Sequence, residues 1–293
     1  MKVFVAGGTG YIGSHVIDQL LKDGYKVRAL VRKGSEYKLM NRDVEFVYGA
    51  IDDPASLNNA LEGCEAIIYL IGLIREFPSR GISFELAHVQ GVRYIYERAK
   101  VYGIKRWIHI SANGVKPDTK YGYIRTKYRA EEYIKAQDLN YTILRPSVVF
   151  GNETDNTVNF VNTIKHTIEL VPFFVPIIGN GEYQLQPIHV EDIARVISMI
   201  IDKPETFNKT YSLCGQKTLS YNEIVDIITN KFNLKKKMKL HLPVSLLKLS
   251  ARLFQNYEFF PITIEQINML IKGNTCSDQY LCEELGIVPK EFY

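Results

Sequence analysis

The stretch "VFVAGGTGYIGSHVIDQLLKDGYKVRALVRKGS", Val3 to Ser35, decides the fold. A short apolar run meets glycines at Gly7, Gly10 and Gly13, then a helix-like segment, then a second apolar run ending in Arg32 and Lys33. In a GxxGxxG turn between a strand and a helix each glycine has a physical reason. One supplies positive φ for a tight turn, one allows close backbone approach to a diphosphate, and one lets helix pack closely on strand. The helix N-terminus adds unpaired N–H groups and a partial positive charge. The motif therefore predicts a dinucleotide cradle. At the end of the second strand an acidic residue would accept hydrogen bonds from a ribose 2′-hydroxyl, but here no Asp or Glu occurs before Glu36. Arg32 can instead grip a 2′-phosphate through its planar fork, which favours NADP(H) over NAD(H).

Outward from this turn, β-branched runs ("KVFVA", "KVRALV", "VEFVY", "AIIYLIG", "RWIHIS", "YTILRP") alternate with helical patterns at 12–22, 54–61, 84–102 and 121–137. Continuous apolar strands separated by helices imply right-handed parallel crossovers, hence an α/β doubly wound (Rossmann) sheet in the order 3-2-1-4-5-6. The rhythm weakens after Phe150. Pro and Gly gather in "VPFFVPIIGNGEYQLQP", and helical patterns follow at 191–201, 220–232, 244–254 and 264–272. We expect a dinucleotide-binding domain over 1–150 and a smaller, mainly helical substrate or lid region over 151–293, with segments around 185–215 returning to the core.

Lys and Arg number 36 against 32 Asp and Glu, a net charge of +4. That is too mild for nucleic acid as the principal partner, and the 19 Tyr and 14 Phe show no RNA-binding pattern. The four cysteines (Cys64, Cys214, Cys276, Cys282) have no CxxC spacing and no paired framework, which predicts reduced thiols and a cytoplasmic setting. The first residues enter a strand at once, leaving no room for a signal or transit peptide, and no apolar run reaches the roughly 20 residues of a spanning helix.

With "GGTGYIG", "YIRTK" and "RPSVVFG" in one order, the chain resembles an extended or atypical short-chain dehydrogenase/reductase over nearly its whole length. It is most similar to the branch of the nucleotide-binding accessory subunit of respiratory complex I and its bacterial relatives. "LEGCEAIIYLIGLIRE", "AKVYGIKRWIHISANGV", "LQPIHVEDIARVI" and "FFPITIEQINMLIKGN" support that branch. The resemblance implies cofactor contacts from Gly7, Thr9, Gly10, Tyr11, Ile12, Gly13 and Arg32, from Leu70 and Gly72 after the fourth strand, and from Pro146, Val148 and Val149 as a wall beneath the nicotinamide. It implies Tyr123 as the group that exchanges a proton with a substrate oxygen. Lys127, four residues on and so on the same helical face, would hold the ribose and lower the phenol from its ordinary pKa near 10. Tyr121 is a competing tyrosine.

Two departures bear on chemistry. The family's Ser or Thr after the fifth strand falls at Ala112, with Ser111 just before it. Consecutive strand residues face opposite ways, so Ser111 anchors a substrate only if the backbone has turned. In "GAIDDP" the acidic residue that contacts adenine is Ala50, leaving Ile51 to cover the ring.

The six histidines lack metal-site spacing, and His189 reads as a structural imidazole in the lid. No GxSxG elbow suggests acyl hydrolysis. "LPVSLLKLSARLF" (242–254) is amphipathic, with Lys248 and Arg252 on its polar side. It reads as a lid helix packed on its own domain, with a peripheral membrane or partner surface as the minority alternative. Two functions follow: an oxidoreductase or epimerase acting on a small alcohol, carbonyl or sugar-nucleotide-like substrate, or a non-catalytic dinucleotide-binding accessory or assembly factor of a respiratory complex.

Overall fold

Apolar strands that succeed one another only across a helix must pair in parallel, and they do. The computed structural model describes the chain apart from residues 41, 118–119, 121, 153–158, 256–259, 261 and 278–279, and only the backbone of residue 280. In chain order the elements are β1 (Lys2–Ala6), α1 (Tyr11–Lys22), β2 (Lys26–Val31), β3 (Val44–Tyr48), β4 (Ala66–Tyr69), a π-helical turn (Glu85–Gln90) running into α2 (Gly91–Val101), β5 (Arg106–Ile110), α3 (Gly122–Lys135) and β6 (Asn140–Pro146). Then come β7 (Val149–Phe150), α4 (Phe160–Leu170), β8 (Phe174–Ile178), β9 (Gln184–Leu185), β10 (Ile188–His189), α5 (Val190–Ile200) and β11 (Lys209–Leu213). The chain closes with β12 (Leu219–Ser220), α6 (Tyr221–Lys231), β13 (Met238–Leu242), α7 (Val244–Phe254), α8 (Ile264–Ile271) and α9 (Tyr280–Glu284).

Two compact units result. The first comprises Met1–Pro146, Val190–Leu213 and Asp278–Ile287. Its sheet runs β3-β2-β1-β4-β5-β6-β11, every pair parallel. This is the expected doubly wound order, with β11 as a seventh strand beside β6. Residues of β1, β4 and β5 are buried on both sheet faces, which is why they read as unbroken apolar runs. The helix expected over 54–61 is only a 3-10 turn, Pro54–Leu57. Asn58 and Asn59 follow it, side chains that compete for backbone hydrogen bonds and shorten helices.

At the foot of this sheet Arg106 is buried, yet all its nitrogens are engaged. Nε donates to Ile201 O (2.8 Å), Nη2 to Ile200 O (2.7 Å), and Nη1 to Asn140 O (2.7 Å) and Thr142 Oγ1 (2.9 Å). The Phe207 ring lies 4.6 Å from the guanidinium carbon. One side chain thus caps the C-terminal carbonyls of α5 and ties them to β5 and β6.

The second unit comprises Ser147–His189, Cys214–Ser277 and Val288–Tyr293. It is less helical than the sequence suggested: two-stranded sheets β7/β10, β8/β13 and β9/β12 accompany α4, α6, α7 and α8. Its core gathers Phe150, Val161, Ile164, Val175, Ile177, Leu185, Ile224 and Ile228. The expectation of reduced thiols is corrected here. Cys214 and Cys276 form a disulfide across 62 residues, with Cα atoms 6.1 Å apart. Linear spacing carries no trace of it, because Gln186 brings the two segments together. Its side chain donates to Gly215 O (2.8 Å) and accepts from Cys276 N (3.0 Å). Cys64 and Cys282 are buried free thiols. No helix among the described residues is long and apolar enough to cross a membrane.

Candidate functional site

The glycine turn is shaped by backbone contact. Gly7 has φ +93°, and Gly10 N donates to Gly7 O at 3.0 Å. A Cβ on Gly13 would lie 2.1 Å from Gly7 O and 2.7 Å from Gly8 Cα, so α1 sits directly on the turn. Gly10, the N-cap of α1, provides no side-chain cap, and the first turn of α1 holds no acidic residue. Its leading N–H groups and positive end are left for an anion. Thr9, Tyr11 and Ile12 are half-buried around this rim. A cradle that a Cβ would fill, at an uncapped and acid-free helix start, fits a dinucleotide diphosphate.

Arg32 stands one residue past β2, at the same edge, exposed; among the described residues its guanidinium makes no hydrogen bond or ion pair. Ile51, expected to cover an adenine ring, is turned into the core instead. It is 4% exposed, with Cδ1 3.1 Å from the Cβ position of Gly91. The composition of that loop could not show this. Gly91 is itself required, because a Cβ there would lie 2.4 Å from Tyr69 Oη.

From the turn the site continues along the exit of β4. A Cβ on Gly7 would meet Ile71 N at 2.9 Å and Leu70 C at 3.0 Å. The next residue, Gly72, leaves room for Lys127, whose Nζ lies 3.3 Å from the Cβ position there and donates to Ile110 O at 2.9 Å. α3 thus brings Lys127 to the carboxyl ends of β4 and β5, and it carries half-buried Tyr123 one turn earlier. The Tyr123 ring packs edge-on against His88 (5.4 Å) and Phe84 (5.7 Å). Tyr121 lies outside the described residues.

Ser111 is placed elsewhere. Its hydroxyl donates to Glu131 Oε1 at 2.5 Å, and Glu131, fully buried, also accepts from Arg145 Nε (2.9 Å) and Nη2 (2.5 Å). A hydroxyl held by a buried carboxylate is structural, and this corrects the expectation that Ser111 anchors a substrate. Ala112, at the family's hydroxyl position, is buried and has no polar side-chain atom. Pro146 ends β6 in the first unit. Val148 and Val149 belong to the second, Val148 packed on its core and Val149 paired with Ile188. His189 packs edge-on against Phe150 at 5.0 Å in that unit.

The family model for the NAD dependent epimerase/dehydratase family matches residues 3–214. The chain belongs to that family. It is 30% identical over 307 residues to NADH dehydrogenase (ubiquinone) 1 alpha subcomplex subunit 9, mitochondrial, of Arabidopsis thaliana, covering 97% of this chain and 73% of that one. It is 25% identical over 266 residues to the NADH-ubiquinone oxidoreductase 40 kDa subunit, mitochondrial, of Neurospora crassa, covering 88% and 67%. The UDP-glucose 4-epimerase of Thermotoga maritima, solved with UDP-glucose, shares the fold at a TM-score of 0.74 and 20% identity, covering 99% of this chain and 94% of that one. The resemblance drawn from the motifs is thereby confirmed.

His88 is the site residue of this epimerase/dehydratase-family chain that sequence reasoning missed. It sits in the π-helical turn, a distortion common near functional sites. Its Nε2 accepts from Leu73 N (3.1 Å), and its Nδ1 lies 2.8 Å from Thr126 Oγ1. Thr126 donates its own proton to Gly122 O (2.8 Å) or Tyr123 O (3.0 Å). Nδ1 must therefore carry the imidazole proton. Burial first, then the Lys127 charge, pushes His88 down to about 2, so it stays neutral. No local pattern links residue 88 to residues 73 and 126.

Burial also pushes the Lys127 ammonium down from 10.5 to about 8, with Glu131 opposing. The unfolded chain therefore binds more protons between those values, and this group's contribution to stability improves as pH rises through them. Relative to Lys127→Met, the native chain should gain roughly 3 kcal/mol in urea unfolding between about pH 7 and about pH 10.5. A difference that stays flat with pH would contradict the depressed pKa.

Proposed function

We propose that this chain binds NADP(H) and uses Tyr123 to exchange a proton with the oxygen of a small alcohol or carbonyl substrate, as an oxidoreductase or epimerase. When bound, the dinucleotide supplies or accepts the hydride. The observation that carries the reading is Lys127, a buried ammonium at the carboxyl ends of β4 and β5, one helical turn from Tyr123 and contiguous with the glycine turn through Gly72 and Leu70. In this reading the N–H groups at the start of α1 hold the diphosphate and Arg32 grips the 2′-phosphate. Lys127 has three donors and directs one to Ile110 O, leaving two for a ribose hydroxyl and the phenol. Its positive charge favours the phenolate that accepts the substrate proton. His88 fixes the ring of Tyr123 from the side.

A second reading has a specific observation behind it. With Ser111 bound to Glu131 and Ala112 lacking a hydroxyl, a substrate oxygen loses its usual second partner. The relatives described above are named as subunits of NADH dehydrogenases. A non-catalytic accessory or assembly role, with the dinucleotide as a structural clamp, fits both facts.

Melting scans with NADPH, NADH and neither separate the cofactor question from the catalytic one. NADPH should give the larger shift, and Arg32→Ala should weaken NADPH by about tenfold while leaving NADH unchanged, from loss of a charge-assisted contact. A larger shift with NADH would overturn the NADP(H) assignment. Tyr123→Phe should then abolish NADPH oxidation across a carbonyl panel while the melting shift survives. A native chain that binds NADPH yet turns over no carbonyl would favour the accessory role.

A further inference from the structure

The second unit carries an apolar sheet face that the described chain covers only in part: Phe174, Pro176, Ile178 and Leu242 are half-buried, whereas Met238 and Leu240 are exposed. In the parallel pair β8/β13, Met238 lies opposite Phe174, Leu240 opposite Pro176 and Leu242 opposite Ile178. Direct cross-strand partners share a face, so these six side chains form one apolar surface. The alternating residues Val175 and Ile177 point the other way into the core. Parallel sheets are ordinarily covered on both faces, yet here Met238 is 71% exposed and Leu240 36%. At the end of α4 and in the turn that leads into β8, Leu170 is 68% and Phe173 84% exposed. Lys237 pins that turn beside β13 by donating to Ile168 O and, at 2.7 Å, to Val171 O.

The rim is cationic. Lys235 and Lys236 are exposed just before β13, and among the described residues their ammonium groups make no hydrogen bond or ion pair. The one carboxylate in the facing stretch 168–178 is Glu169. Protruding apolar and aromatic tips beside unpaired lysines match a bilayer interface, where the tips enter the acyl boundary and the ammonium groups stay among anionic headgroups. We propose that this face, from Leu170 and Phe173 across Met238 and Leu240, docks the protein on an anionic lipid surface. The proposal is independent of what the first unit binds.

Co-sedimentation of the full chain with vesicles tests it, using phosphatidylcholine alone and phosphatidylcholine with phosphatidylglycerol. Binding should be stronger to the anionic vesicles and should fall in about 0.5 M salt. Phe173→Ser with Met238→Ser should weaken it by at least about tenfold at low salt, and Lys235→Glu with Lys236→Glu should erase the anionic preference. The NADPH-free melting temperature checks that each variant is folded. Phe173→Trp supplies a second readout, since its emission should move to the blue with anionic vesicles. No sedimentation of the native chain, an unmoved emission, or native binding by the double serine variant would each overturn the proposal. So would a dimer, seen by light scattering, that the double serine variant dissolves, because the face would then belong to self-association.

Discussion

Gly13→Ala is expected to erase the melting shift produced by NADPH and to lower stability by about 3 kcal/mol, near the upper end of the ordinary overpacking cost. The added methyl would meet Gly7 O at 2.1 Å, Gly8 Cα at 2.7 Å and Gly7 C at 2.9 Å. All three are backbone atoms of the turn, so no side chain can swing aside. α1 must move off the turn, and its N–H groups move with it. Gly10→Ala is the matched control: its Cβ would have one neighbour, Gly7 O at 3.2 Å, which a small shift relieves. Urea unfolding and NADPH titration on both variants decide the matter. A Gly13→Ala protein with the native NADPH shift would show that the turn is not the diphosphate cradle.

Arg106→Ala should cost more stability, about 3–5 kcal/mol, and should leave dinucleotide affinity unchanged. Deleting the guanidinium strips the partners from Ile200 O, Ile201 O and Asn140 O and opens a hole beside Phe207. Burial lowers the pKa of this group only to about 10, so it is charged at neutral pH and the carbonyls receive charge-assisted bonds. Lysine is not expected to rescue, because one ammonium cannot reach four acceptors lying in the plane of a fork. Urea unfolding should show the loss, and NADPH titration well below the melting range should show native affinity. A fall in affinity as large as that of Gly13→Ala would mean that the clamp also shapes the cradle.

The contrast between these two residues parallels what the sequence can reveal. The glycine turn was legible because its geometry is local: three glycines, a strand and a helix within 20 residues of one another. The Tyr123–Lys127 pair was legible for the same reason, being one turn of one helix. Arg106 gave no signal, since its acceptors at 200 and 201 lie far along the chain. The role of Ser111 depended on Glu131, 20 residues away, and a carboxylate four residues after Lys127 reads as an ordinary helical ion pair. Ile51 was assigned to an adenine ring from its place after Ala50, whereas contact with the Gly91 region turns it into the core. β8 and β13 hid within Pro- and Lys-rich stretches: β8 is apolar on both faces and so does not alternate, and the alternation of β13 spans only five residues beside a lysine run.

The Cys214–Cys276 bridge makes the intervening segment a covalent ring that carries β12, α6, β13, α7 and α8. A protease that cuts once inside that ring releases nothing, so a nicked preparation would run as intact chain on a gel until a reducing agent is added. Domain mapping by limited digestion must therefore be read with and without reductant, or the cut sites in this half of the molecule will go unseen.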